Sequence, residues 1–253
     1  MRSFKNCILG RLVLGFTLAE VLVTLGIIGV VAAVTMPTLM TKHRNKVYEG
    51  QFKVAHSLIA QAVDQLAQDK FDVNTYYCGA NRIDAKQNTF LPDFAQYFQI
   101  IKSDYTYQTS DLTRLGYKNS YFYQSAPGAR YFNDDSHNNG AIILKNGMMI
   151  ASSGCWWMSR YVDFIVDTNG TKGPNKFGYD LFYFQIGDDN KLYPSAGKYY
   201  LTNNTDAQMQ RCCNFREANT CSVPQDTGVS CALYALENIS PHDSTKGYWE
   251  SLP

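Results

Sequence analysis

Residues 15–40 read GFTLAEVLVTLGIIGVVAAVTMPTLM, and Glu20 is the sole charged side chain in the run. At about 1.5 Å of rise per residue, an apolar helix of this length crosses the roughly 30 Å hydrocarbon core of a bilayer. The segment ahead of it, Met1 to Gly15, carries Arg2, Lys5 and Arg11 and no acid. Basic residues on that side place the N-terminus in the cytoplasm and the bulk of the chain outside. A plain single-pass anchor, or a signal peptide cut near Val31-Ala32-Ala33, fits the same apolar content. Neither accounts for Glu20, because a carboxylate buried in an apolar helix costs about 2.5–3.5 kcal/mol even on mild insertion scales and implies a partner. Neither needs Gly15 at the point where the basic leader meets the apolar run.

The order Gly15-Phe16-Thr17-Leu18-Ala19-Glu20-Val21-Leu22-Val23-Thr24-Leu25 resembles the processing motif of type IV prepilins and type II secretion pseudopilins. The likeness is close over the first forty-odd residues and loose beyond them. It implies that a membrane-embedded aspartyl prepilin peptidase cuts between Gly15 and Phe16 and methylates the new Phe16 amine. Glycine suits the cut, since no Cβ obstructs approach to the backbone. The resemblance also implies that the Phe16 amine of one subunit pairs with Glu20 of a neighbour, two costly charges offsetting one another. Such a pair would set axial register, as buried polar groups do in coiled coils. Pro37, where pilin-like chains often carry a proline, either bends the helix or ends the membrane segment.

The fold this resemblance implies is α+β: the pilin fold, a long N-terminal helix, half transmembrane, packed on a C-terminal antiparallel sheet. The implied role is structural, as a pilin or pseudopilin, major or minor. The filament is a type IV pilus, a type II secretion pseudopilus or a related DNA-uptake filament. The implied partners are other pilin subunits, the prepilin peptidase, the inner-membrane assembly platform and the lipid bilayer. The implied location is the bacterial inner membrane, single-pass, with a cell-surface or periplasmic filament after assembly. The rival is a membrane-tethered periplasmic binding module that never polymerises; only the filament needs both Gly15 and Glu20.

The organisation that follows is a leader over 1–15, a membrane and filament-core helix over 16–40, and an amphipathic continuation over 41–70. A variable connector over 71–139 leads to a sheet over 140–190 and a disulfide-tied region over 191–253. Tyr48, Phe52, Ala55, Ile59, Ala62 and Leu66 recur at helical spacing, so one helix is expected from about Phe16 to about Lys70 with a single apolar stripe. Lys42, His43, Arg44 and Lys46 ahead of that stripe meet lipid headgroups, neighbouring subunits or water. In the connector, Leu91 to Ile101 reads as a short helix. Tyr76, Tyr77, Tyr105, Tyr107, Tyr117, Tyr121 and Tyr123 pack within a long loop or form a contact surface. Ala141 to Leu144 and Met148 to Ala151 flank Lys145-Asn146-Gly147, a hairpin signal. With Tyr161 to Val166 and Leu181 to Ile186 they make an antiparallel sheet of about four strands.

Asp167 to Asp180 is rich in Gly, Pro and Asn and reads as a rigid turn. Its alternative is a Ca²⁺ site at Asp167, Asn169 and Asp180, whose oxygens suit a hard cation although the EF-hand spacing is absent. Beyond that alternative the sequence calls for no cofactor. Of the seven cysteines, Cys7 falls in the leader. Cys78, Cys155, Cys212, Cys213, Cys221 and Cys231 read as disulfide partners in an oxidising compartment, without the ligand spacing of a metal site. Cys221 and Cys231 are one candidate pair, closing a small loop around Pro224 and Gly228.

The formal net charge of +1 across 253 residues, with no dense Lys/Arg run, gives no sign of nucleic-acid binding. His43, His56, His137 and His242 form no ligand or catalytic pattern, and neither Gly154-Cys155-Trp156 nor Ser152-Ser153-Gly154 has the setting of a nucleophile. The chain reads as no enzyme: chemistry is done to it, by the peptidase.

Overall fold

The computed structural model describes residues 15–69, 90–105, 115–116, 140–154 (backbone alone at 152–154), 162–187, 189–194, 210, 212–213, 228 and 230–253. The leader before Gly15, Tyr76, Tyr77, Tyr107, Tyr117, Tyr121, Tyr123, His137 and Tyr161 lie outside them, as do Cys78, Cys155 and Cys221. The chain divides into two units, Met1–His43 and Arg44–Pro253.

Helix α1 runs unbroken from Leu18 to Gln68 and takes Pro37 inside it. Proline here ends nothing. It withholds one N–H from the helical ladder, and the turns on either side carry the helix across the gap. Before His43 the large apolar side chains from Phe16 to Met40 are exposed. In the second unit the same helix buries Tyr48, Phe52, Ala55, Ile59, Ala62, Val63 and Leu66, at the spacing the sequence predicts.

That stripe packs on a six-stranded antiparallel meander in the order β1 to β6: Ile100–Asp104, Ala141–Leu144, Met149–Gly154, Val162–Asp167, Leu181–Ile186 and Leu192–Pro194. Alternate residues of the strands serve two separate cores. Ile142, Leu144, Ile150, Phe164, Val166, Phe182 and Phe184 join the helix side. Ala141, Ile143, Met149, Ala151, Ile165, Leu181 and Tyr183 join a second cluster with Leu115 and Phe177 on the opposite face. Both faces are thus buried, so β4 and β5 have no solvated side.

The sheet is wider than the expected four strands and extends past 140–190 at both ends. The predicted helix over Leu91–Ile101 is shorter, α2 from Phe90 to Ala95. Gln96 to Phe98 close it with turn hydrogen bonds, and Ile100 opens β1, paired to β2 through a bulge between Ile100 and Lys102. Backbone pairing at the sheet edge, not side-chain pattern, recruits this strand. At the other edge β6 ends on Pro194, where the missing N–H is tolerated. Two short helices, α3 at Cys231–Glu237 and α4 at Tyr248–Ser251, close the chain over the helix side of the sheet.

Candidate functional site

Phe16 is 88% exposed, and Thr17 stands just before α1. The Thr17 N–H and Oγ–H both donate to Glu20 Oε2 at 2.8 Å. In return the Glu20 N–H donates to Thr17 Oγ1 at 3.3 Å. This is a capping box: two helix-start donors satisfied reciprocally, with the acid in the first turn where the helix dipole favours it. Thr17-x-x-Glu20 carries that signature in the sequence, and reading Glu20 solely as a charge in lipid passes over it. The carboxylate has a local role that needs no second chain.

Helix geometry refines its depth. From Glu20 to Lys42 the helix spans about 33 Å, close to the roughly 30 Å of a hydrocarbon core. Were Lys42 at one headgroup layer, Glu20 would lie near the other, where ionised groups are tolerated. By length and composition α1 can span a membrane as a single-pass anchor.

The loop after β4 is built around two acids. Asp167 Oδ1 accepts from the N–H groups of Asn169 (3.1 Å) and Gly170 (2.8 Å). Asp180 Oδ2 accepts from Asn175 N–H (2.9 Å) and Asn169 Nδ2 (3.1 Å), and its Oδ1 from Lys176 N–H (2.7 Å). Burial pushes the Asp180 carboxyl up to about 6 against the lowering pull of those donors. Gly170 has φ +65°, and a Cβ there would collide with the Gly147 carbonyl of the β2–β3 turn, so only glycine fits.

Asp167 Oδ1 and both Asp180 carboxylate oxygens are therefore engaged by N–H donors. Thr168 Oγ1, Asn169 Oδ1 and Asn175 Oδ1 accept no hydrogen bond among the described residues, but they are neutral ligands. No group of three His, Cys, Asp or Glu side chains is gathered for a metal among the described residues. Asp167, Asn169 and Asp180 are brought together in one turn, which these hydrogen bonds hold.

Cys213 and Cys231 form a disulfide, Cα–Cα 4.9 Å. This corrects the expected Cys221–Cys231 loop: Cys231, at the start of α3, faces Cys213 across the core. Cys212 is also disulfide-bonded. The described histidines stay apart. His43 is exposed, His56 is half-buried with its ring 6.0 Å from Phe184, and His242 Nε2 lies 2.8 Å from the Cys213 carbonyl.

One buried acid has no place in the sequence reading. Asp163 on β4 is opposite Gln185 on β5, both enclosed on the face away from α1. The strand signal around it is purely apolar and aromatic, so nothing but the acid itself could have marked the position.

Together, an exposed apolar N-terminal helix and a C-terminal antiparallel sheet give the chain an α+β, pilin-like architecture. No family model, curated protein or solved structure matches the chain.

Proposed function

We propose that the chain is a structural subunit of a type IV pilin-like filament, a pilus or a secretion pseudopilus, and not an enzyme. In this reading a prepilin peptidase cuts after Gly15 and methylates Phe16, and the anchored subunit waits in the inner membrane with its sheet-bearing unit outside. The observation that supports it is a conjunction: Gly15-Phe16-Thr17-Leu18-Ala19-Glu20 heads an apolar helix that continues without interruption into a sheet-packed half.

Assembly then takes Glu20 from the membrane interface into a bundle of apolar helices. Lipid tails are as apolar as those helices, so no net hydrophobic gain drives the transfer. The charge is tolerated in the bundle once the Phe16 amine of another copy meets it.

Two substitutions separate this role from capping. Glu20→Gln keeps the capping box, since glutamine serves at that helix position, but removes the charge. Glu20→Ala removes both. In the host that makes the protein, both variants are expected to lose sheared filaments. Wild-type filament yield from Glu20→Gln would leave Glu20 as a cap alone, and absence of filaments from the wild type itself would favour the non-polymerising tether.

A further inference from the structure

Strand β1, Ile100–Asp104, stands at one end of the sheet, and among the described residues no strand pairs with its outer side. Its neighbour fixes which way its backbone groups point. The Leu144 N–H donates to the Met148 carbonyl at 2.8 Å, so Leu144 and, two residues back, Ile142 direct their backbone groups toward β3. Ala141 and Ile143 therefore serve β1, where Asp104 and Lys102 stand opposite them. Ser103, between those two, is left with its N–H and C=O directed away from the sheet. Ile101, Lys102 and Ser103 are exposed, Ile101 at 62%, and Tyr105 just beyond the strand is 37% exposed.

We propose that β1 pairs antiparallel with β1 of a second copy of this chain, about a two-fold axis at Ser103. The order Ile101-Lys102-Ser103-Asp104-Tyr105 is self-complementary under that rotation. Ser103 meets Ser103 of the second copy, and the two exchange hydrogen bonds through their outward N–H and C=O groups. Lys102 falls opposite Asp104 in both directions, at non-hydrogen-bonded positions, where paired strands bring facing side chains closest. Ile101 falls opposite Tyr105, an aliphatic–aromatic pair. A lysine alone guards a sheet edge, because the same edge of another copy brings a like charge. Asp104, two residues on and on the same face of the strand, turns that guard into a match in one register. Sliding one strand by two residues sets Lys102 against Lys102 or Asp104 against Asp104, which disfavours the slip. The bulge between Ile100 and Lys102 ends the match at Ile101. A two-fold contact closes at two copies, so it differs from the head-to-tail contact that extends a filament and does not depend on the chain polymerising.

The test is the dimer dissociation constant of the full chain in mild detergent, read by sedimentation equilibrium. Wild type is expected to dimerise in the micromolar range, as suits a small contact. Lys102→Glu and Asp104→Lys each set like charges opposite one another at two symmetry-related places and should weaken the dimer about tenfold. The double variant restores opposite charges and should recover the wild-type constant. Ser103→Pro removes the outward N–H at a place where an edge strand tolerates proline, and should also weaken the dimer while the far-ultraviolet circular dichroism stays unchanged. The charge variants decide the matter even if that proline disturbs the sheet. A wild type that stays monomeric would overturn the pairing. A dimer indifferent to Lys102→Glu and Asp104→Lys would overturn it in favour of another contact, the apolar half of α1 among them. A double variant as weak as the single ones would overturn the register.

Discussion

Gln185 Nε2 donates a 2.7 Å hydrogen bond to Asp163 Oδ1 across directly paired positions of β4 and β5. Tyr183 also hydrogen-bonds the same acid, yet burial outweighs both and raises the Asp163 carboxyl to about 7. A buried acid tethered by neutral donors is a group whose protonated form the native state prefers.

That preference has a sign. The unfolded chain releases this proton near pH ~4, the native chain only near 7, so between them the native state binds more protons. The stability Asp163 contributes is complete below about pH 4 and is lost as pH climbs through about 7. Asp163→Asn should therefore gain on wild type as pH rises from about 5 to about 8. Thermal midpoints of both proteins across that range check it; a constant difference between them would count against it.

Asp180 closes its loop with acceptors for two backbone N–H groups and one side-chain amide. Asp180→Ala leaves those donors without it in a buried setting and is expected to cost about 3 kcal/mol. The midpoint of urea unfolding, measured on the full chain in mild detergent, reads the loss. Addition of Ca²⁺ or a chelator should leave the wild-type midpoint where it is.

Phe52 is the centre of the helix–sheet contact, its ring 4.4 Å from Phe182 and 5.5 Å from Trp249. Phe52→Ala opens a cavity among groups that cannot all close in, with an expected loss of about 3–5 kcal/mol. The same urea titration measures it. Val54→Ala, on the exposed side of the same helix, should change the midpoint little.

The Cys213–Cys231 bridge spans 18 residues and ties α3 to the core. Replacing both cysteines with serine should lower stability by about 2–4 kcal/mol. Reductant should then shift the midpoint of wild type more than that of the double variant.

The sequence made α1 legible because its apolar stripe repeats at the helical period, and made β2 to β5 legible as short apolar runs between turn residues. It hid β1 and β6 for a physical reason. Ile-Ile-Lys-Ser-Asp and Leu-Tyr-Pro carry little burial, and backbone pairing to an existing neighbour makes them strands. The double-sided burial was hidden as well. Val162–Asp167 and Leu181–Ile186 lack an apolar–polar alternation because both faces are covered, and Asp163 is tolerated through Gln185 across the ladder. Cysteine pairing depends on which chain segments meet in space, so Cys231 gave no local clue to Cys213. In the candidate site, the Thr17–Glu20 box was readable from spacing alone, whereas the engagement of Asp167 and Asp180 by loop N–H groups required coordinates.

The central claim is that this chain is matured at Gly15-Phe16 as a prepilin, and the N-terminal peptide tests it most directly. Mass spectrometry of the protein purified from cells with and without a prepilin peptidase compares the two cases. The account predicts methylated Phe16 as the first residue when the enzyme is present and an uncut leader when it is absent. An identical N-terminus in both, whether Met1 or a start at Val34, would contradict it.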